Sequence, residues 1–507
     1  VLLACGLAAS IGLDAAAPLT GAAPLARAYD AVLDADFEEA RRRLDAACPP
    51  APPAACLALE ATRLLWRIQL DPEQTAHDRA FEQAAAHAIA EAQAWAAREP
   101  ENAEAWFYVG GAYGARVQWK VLRRHHLSAA RDGKEVKRAL DRTLALDSTL
   151  DDAQFGLGLY EYYAAVAPAA ARILRVLLFL PGGDRVAGLK RMEQTRTRGV
   201  LLADEAAYQI HVVYLWYEDR PRDALTLAQG LVTRHPRNPF FHRIVAETLD
   251  VYMHDRTASL AAYRELAALS AARRVNHPAL AETEARLGVA AQLDALGDSD
   301  LAAAELARVA AARPAEPWAA ESRARLALAQ ALDRVGDRTG AETNYRQVIA
   351  AMHGSDPLGL ADAAKRGLAR RTPRATAEAN RLALAAWREF ERRPESAAEI
   401  APRLAEAIAR DPANHVARYR YARVLLAANG DRTRALAELD RVVAGAADAP
   451  PTVVADAALA AGRVREELRD RAGALASYRR AAHTFGAAAE TRDAAARAVT
   501  RLERITP

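Results

Sequence analysis

The chain has 507 residues, 51% of them hydrophobic, and its 68 Lys and Arg against 65 Asp and Glu leave a net charge of +3. That length and apolar fraction exclude a disordered or collagenous chain and suffice for several domains or one long solenoid. Alanine supplies 127 residues and aromatics only 6%, which favours helix over sheet, while the near-neutral total argues against a dedicated nucleic-acid binder and leaves room for a local basic patch.

In chain order, Val1 to Leu13 is apolar or small, and Asp14-Ala15-Ala16-Ala17 with the Pro/Gly/Ala stretch to Pro24 reads as a cleavage and linker region behind a secretory signal. Such a run is too short to span a bilayer. Within it, Leu2-Leu3-Ala4-Cys5-Gly6 resembles a bacterial lipoprotein box, with Cys5 as the lipidated residue. Two alternatives stay open: Cys5 inside an ordinary signal core, and an apolar first helix of a cytoplasmic protein. Residues 1–23 are assigned to this segment. Next, Cys48 and Cys56 bracket Pro49-Pro50-Ala51-Pro52-Pro53-Ala54-Ala55 between two helical patterns. In an oxidising compartment, a proline-stiffened loop with a Cys at each end suits a disulfide that staples a hairpin, against the alternative of two unpaired core residues. Residues 24–101 are read as N-terminal hairpins carrying this staple.

A repeat of about 34 residues follows. One helix signature is Trp106-Phe107-Tyr108-Val109-Gly110-Gly111-Ala112-Tyr113, and its complement is Gly473-Ala474-Leu475-Ala476-Ser477-Tyr478-Arg479-Arg480-Ala481. Further copies run from Asp36 into Cys48, from Ala224 to Pro236, through Ala258, Ala262 and Glu265, through Leu287-Gly288 to a partner ending near Pro314, through Ala341, Tyr345 and Val348, from Ala401 to Pro412, and from the turn Asn429-Gly430-Asp431 to Ala435. These offsets resemble the tetratricopeptide repeat (TPR), and the resemblance covers most of residues 28–484. It implies an all-α solenoid of stacked helix-turn-helix hairpins wound as a right-handed superhelix, with a non-catalytic role presenting a groove to a protein or peptide. Residues 102–272 form an aromatic-rich block, 273–372 the middle repeats, and 373–507 the C-terminal repeats with an amphipathic capping helix over 487–504.

Two insertions break the pattern and are expected between one hairpin and the next. In the first, a helix continues from Tyr113 through His125-His126 and the partner helix restarts near Lys134; the second runs from Ala164 to Gly199 with an apolar run Ile173–Leu180. Arg116–Arg142 holds nine Lys/Arg against three acids, and Ala164–Gly199 seven against two. With the aromatics nearby, Trp119, Arg123, Arg124, Tyr160, Tyr163 and Arg185 are the candidate partner-binding residues. They could hold an acidic peptide, a C-terminal carboxylate or anionic headgroups. The alternative is a solvated face with intrahelical pairs such as Glu135 with Arg138.

Catalytic patterns fail. Gly183-Asp184-Arg185-Val186-Ala187-Gly188-Leu189-Lys190 places its Lys one residue late for a phosphate loop and reads as a turn opening a helix. No His-Glu-x-x-His or Gly-x-Ser-x-Gly occurs. The expectation is therefore a non-enzymatic scaffold without metal or cofactor. Its expected partner is a protein or peptide rather than nucleic acid. It is read as periplasmic and membrane-anchored through Cys5 if that residue is lipidated, with a cytoplasmic regulator as the alternative.

Overall fold

The computed structural model describes residues 19–166, 182–352, 354–428 and 431–504. Among them lie 24 α-helices and no strand. Within each unit neighbouring helices pack as hairpins and hairpins pack on hairpins, an all-α stack. Two compact units divide the chain, residues 1–212 and 213–507.

The hairpins follow a local rule. The second helix of many opens on an Asp that accepts a backbone N–H three residues on: Asp36 from Glu39, Asp255 from Ala258, Asp337 from Gly340, Asp431 from Arg434, Asp470 from Gly473. Four residues past each cap lies a small buried residue, Ala40, Ser259, Ala341, Ala435 or Ala474, and four further a large buried one, Leu44, Tyr263, Tyr345, Leu439 or Tyr478. The cap satisfies an otherwise orphaned N–H. The small residue admits a neighbouring helix, and the large one fills the space left by small residues opposite. A Cβ on Gly288 would collide with the Tyr263 ring, one on Gly367 with Tyr345, and one on Gly462 with Tyr478.

In the first unit, Ala22–Leu33 pairs with Phe37–Ala47, Pro53–Leu70 with Asp78–Arg98, Ala103–Leu122 with His126–Leu146, and Ala153–Val166 with Arg185–Arg198. A disulfide joins Cys48 to Cys56, with the Cα atoms 6.3 Å apart. Both insertions lie inside hairpins rather than between them, which corrects the expectation. After Leu122 the chain reverses within three residues: Arg124 takes a left-handed conformation (φ 62°) and the His125 N–H bonds the Lys120 carbonyl at 2.7 Å. The partner helix thus starts at His126, not near Lys134, because the reversal at Arg124 ends the first helix at Leu122. The second excursion supplies one helix of a hairpin, Arg185–Arg198, which packs against Ala153–Val166. They cross where neither backbone can give way, since a Cβ on Gly158 would lie 2.7 Å from the Gly188 carbonyl and one on Gly188 2.6 Å from the Tyr162 nitrogen. Ile173–Leu180 and Cys5 fall outside the described residues.

In the second unit the stacking is interrupted once. Helix Ala320–Val335 packs against both Leu360–Ala369 and Arg374–Arg392, which are joined by the short, mostly exposed segment 370–373. Polar pairs hold the neighbouring elements across this break: Arg388 donates to Asp298 and Asp300, Arg420 to Asp298, and Asn380 to the Arg334 carbonyl. Helix Ala489–Arg504 closes the stack by burying Ala495 and Leu502.

Replacing Gly188 by Ala should destabilise the fold by about 1–3 kcal/mol, because the added methyl meets backbone. Gly111 lies in a helix with nothing within 4 Å of where a methyl would sit, and should instead gain about 0.5–1 kcal/mol on replacement by Ala. Chemical denaturation of both variants checks this, and equal shifts would refute the packing assignment.

Candidate functional site

The hairpin formed by Ala103–Leu122 and His126–Leu146 carries most of the sequence-predicted site. Trp119 is buried, its ring 5.6 Å from that of Phe81 and edge-on to His125. It is a core residue and presents no face to a partner. The Arg123 guanidinium donates to both Asp78 oxygens, at 2.6 and 2.7 Å, and to the carbonyls of Pro72 and Gln74. Its charge fastens the hairpin to the loop before the preceding helix. Arg124 is exposed on the reversal. Tyr160 is half-buried over Gly133, and Tyr163 stands edge-on to the fully buried Tyr162 at 5.8 Å. Arg185 is exposed as the first residue of its helix, where Asp184 caps the Val186 and Ala187 N–H groups at 2.9 Å. That is a helix-opening turn rather than a phosphate cradle. The six residues therefore do not make one surface, since packing consumes Trp119 and an ion pair consumes Arg123.

The basic count of the first insertion is likewise mostly spent within the fold. Arg116 and Lys120 share the buried Asp132 at 2.7 and 2.6 Å, Lys137 pairs with Asp141, Arg138 with Glu135, and Arg142 with Glu101. With Arg123, six of the nine cations are paired. The remaining three, Arg124, Arg131 and Lys134, are exposed. On the same turn, Val121, Leu122 and Leu127 are 51%, 36% and 54% exposed. A short apolar patch beside three uncommitted cations is what this hairpin offers to solvent.

Sequence reasoning missed a buried carboxyl in the first unit. Glu205, 3% exposed, accepts at Oε2 from the Tyr29 hydroxyl at 2.9 Å and the Trp66 indole N–H at 3.1 Å, with the side chains of Gln118 and Gln209 as further polar neighbours. These side chains come from Ala22–Leu33, Pro53–Leu70, Ala103–Leu122 and Glu205's own helix, Ala203–Trp216, while the Tyr208 ring lies 5.5 Å from that of Trp66, tilted at 54°. In sequence, Asp204-Glu205 has the look of an ordinary first-turn acidic pair. Burial raises the Glu205 pKa, partly offset by these four side chains, and burial together with the Glu205 charge raises that of Tyr29. Buried and accepting from both Tyr29 and Trp66 at Oε2, this carboxyl is held within the interior.

In the second unit a pocket of about 180 Å³ lies at the stacking break, lined by Asp294, Arg334, Asn380, Asn414 and Arg420 among others. Its polar groups mostly engage one another: Asn414 donates to Asn380 at 2.6 Å, Arg334 to Asp294 at 2.8 Å, and Arg420 to Asp298 at 2.6 Å. Among the described residues no cluster of three His, Cys, Asp or Glu is arranged for a metal, and no helix is long and apolar enough to cross a membrane.

No family model and no curated protein matches the chain. Solved structures do. A tetratricopeptide repeat protein from Parabacteroides merdae is 13% identical over 59% of this chain and 99% of its own, with a TM-score of 0.26. The TPR2AB domain of yeast Sti1 in complex with pHSP90 is 13% identical over 60% and 97%, with a TM-score of 0.21. The Cut9–Hcn1 hetero-tetramer of the APC/C is 10% identical over 95% and 90%, with a TM-score of 0.26. At these scores the helix contacts described above remain the basis for the fold.

A carboxyl whose pKa is raised in the folded state contributes fully to stability below its unfolded pKa of about 4.3 and loses that contribution as pH rises through the raised value. The stability of the native protein relative to Glu205→Gln should therefore fall as pH rises above about 4.3; parallel curves would contradict the burial of a titrating carboxyl. Glu205→Ala, which leaves Tyr29 and Trp66 without an acceptor, should cost about 1–3 kcal/mol.

Proposed function

We propose that the protein is a non-catalytic interaction scaffold of the bacterial cell envelope that engages an acidic segment of a partner polypeptide at the tip of the Ala103–Leu146 hairpin. One observation carries this reading: Arg124, Arg131 and Lys134 are exposed beside exposed Val121, Leu122 and Leu127, while the other six cations of the segment are committed to carboxylates. Uncommitted cations at the edge of an apolar patch favour an acidic, partly apolar ligand through charge complementarity. The envelope assignment draws on the apolar stretch before Pro24 and on the Cys48–Cys56 disulfide, which suits an oxidising compartment. Cys5 would then supply a lipid anchor.

The test is retention of cross-linked partners by the full chain and by the triple variant Arg124→Ser, Arg131→Ser, Lys134→Ser. Loss of about 1.4 kcal/mol, a tenfold weakening, with unchanged helicity is expected; equal retention would remove the tip as the site. Fractionation, with alkylation of Cys48 and Cys56 without reductant, checks the compartment. Two alkylated thiols in a cytosolic fraction would overturn the envelope assignment.

A further inference from the structure

A second basic surface lies in the other unit and does not depend on the hairpin tip. Residues 363–377 contain Lys365, Arg366, Arg370, Arg371 and Arg374 and no acidic residue, a concentration of charge larger than the whole-chain balance of +3. Arg381 follows two turns into the next helix, on the face that carries Arg374. All six are exposed. Lys365 pairs with Asp362 and Arg374 with Glu378, both on the surface. Arg366, Arg370, Arg371 and Arg381 make no side-chain hydrogen bond or ion pair among the described residues. The contrast with the first insertion is physical: there Asp132, Asp78 and Glu101 from other elements meet Arg116, Lys120, Arg123 and Arg142, whereas here no acid from another element pairs with these four arginines among the described residues.

The backbone bearing these arginines is fixed from beneath. Arg338 donates to the carbonyls of Gly367 at 3.1 Å, Leu368 at 2.8 Å and Arg370 at 3.5 Å, the otherwise unsatisfied end of helix Leu360–Ala369. Asp333 and Glu342 hold Arg338 in turn, each at 3.0 Å. Tyr345 donates to Asp333 at 3.1 Å and packs where Gly367 has no side chain. A partly buried support, with the Arg338 and Glu342 side chains each 25% exposed, thus holds the backbone that carries these guanidiniums.

We infer that the segment from Arg366 to Arg381 is a docking surface for an acidic stretch of a partner polypeptide, separate from the hairpin tip. Guanidinium groups match carboxylates in paired geometry. Residues 363–377 include no aromatic side chain on which unpaired bases could stack. Leu368, the only large aliphatic residue among them, is half-buried, so the loop lacks an apolar wedge for a lipid surface. A carboxylate-rich chain is the occupant these features fit.

The test uses the full chain and a fluorescent polyglutamate peptide, read by anisotropy at about 0.15 M salt, where surface charges are screened beyond about 8 Å. Saturable binding is expected, weakened at least tenfold in the variant R366Q/R370Q/R371Q/R381Q with circular dichroism unchanged, and weakened less in Arg338→Gln, which loosens the support. The hairpin-tip variant should bind this peptide like the native protein, so failure at the tip and failure here are separable. Absence of saturable binding, or equal affinity in the quadruple variant, would overturn the inference. So would displacement of the peptide by phosphatidylglycerol vesicles or by oligothymidylate more effectively than by unlabelled peptide, which would assign the loop to a lipid or nucleic-acid surface.

Discussion

A two-helix hairpin buries only one of its faces, so each hairpin here is stable only against the next, and the distance of closest approach between helix backbones sets how well that works. Glycine and alanine fix this distance. At Gly158 and Gly188 the chains approach so closely that a single methyl would meet main-chain atoms, and at Gly288, Gly367 and Gly462 a tyrosine from the adjoining helix fills the space that a side chain would need. The high alanine content is thus a packing requirement. Large side chains are few because each must find a complementary gap.

Close stacking has an electrostatic consequence. Carboxylates and guanidiniums on successive hairpins are brought into register, so a charge counted along the sequence is often neutralised across it: Arg123 by Asp78, Arg142 by Glu101, Arg388 by Asp298 and Asp300. Uncommitted charge survives where a hairpin turn projects beyond its neighbours, as at Arg124, Arg131 and Lys134, or where the stack is interrupted, as at Arg366–Arg381. In the first unit the same stacking gathers Tyr29, Trp66 and Gln118 around Glu205. There the interior is satisfied by the chain's own groups.

Much of the architecture was legible because the repeat is written in short-range chemistry. The Asp cap, the alanine four residues on and the tyrosine beyond it recur at offsets that a helical period makes meaningful, as Asp470, Ala474 and Tyr478 illustrate. The terminal amphipathic pattern after residue 487 was readable for the same reason. Side-chain commitments were not, because they depend on partners tens of residues away. Trp119 and Arg123 have the composition of a binding site, and only the positions of Phe81 and Asp78 place one in the core and the other in an ion pair. Glu205 was hidden in an ordinary acidic first turn, and its donors lie as far as 176 residues away. The arginines near Arg370 were visible as a run, but their lack of facing acids follows from the stacking break.

The interior of the first unit is closed around Glu205, with Tyr29 and Trp66 donating to its carboxylate, and the proposed recognition at exposed turns rests on that closure. Amide hydrogen exchange on the intact protein tests it most directly. The account predicts that Ala22–Leu33, Pro53–Leu70 and the Ala103–Trp119 part of the long hairpin exchange slowly and together, while the reversal at Arg123–His125 exchanges faster. Rapid exchange in the helices carrying Tyr29 and Trp66, at rates like those of the turns, would show that the Glu205 network does not hold the interior shut.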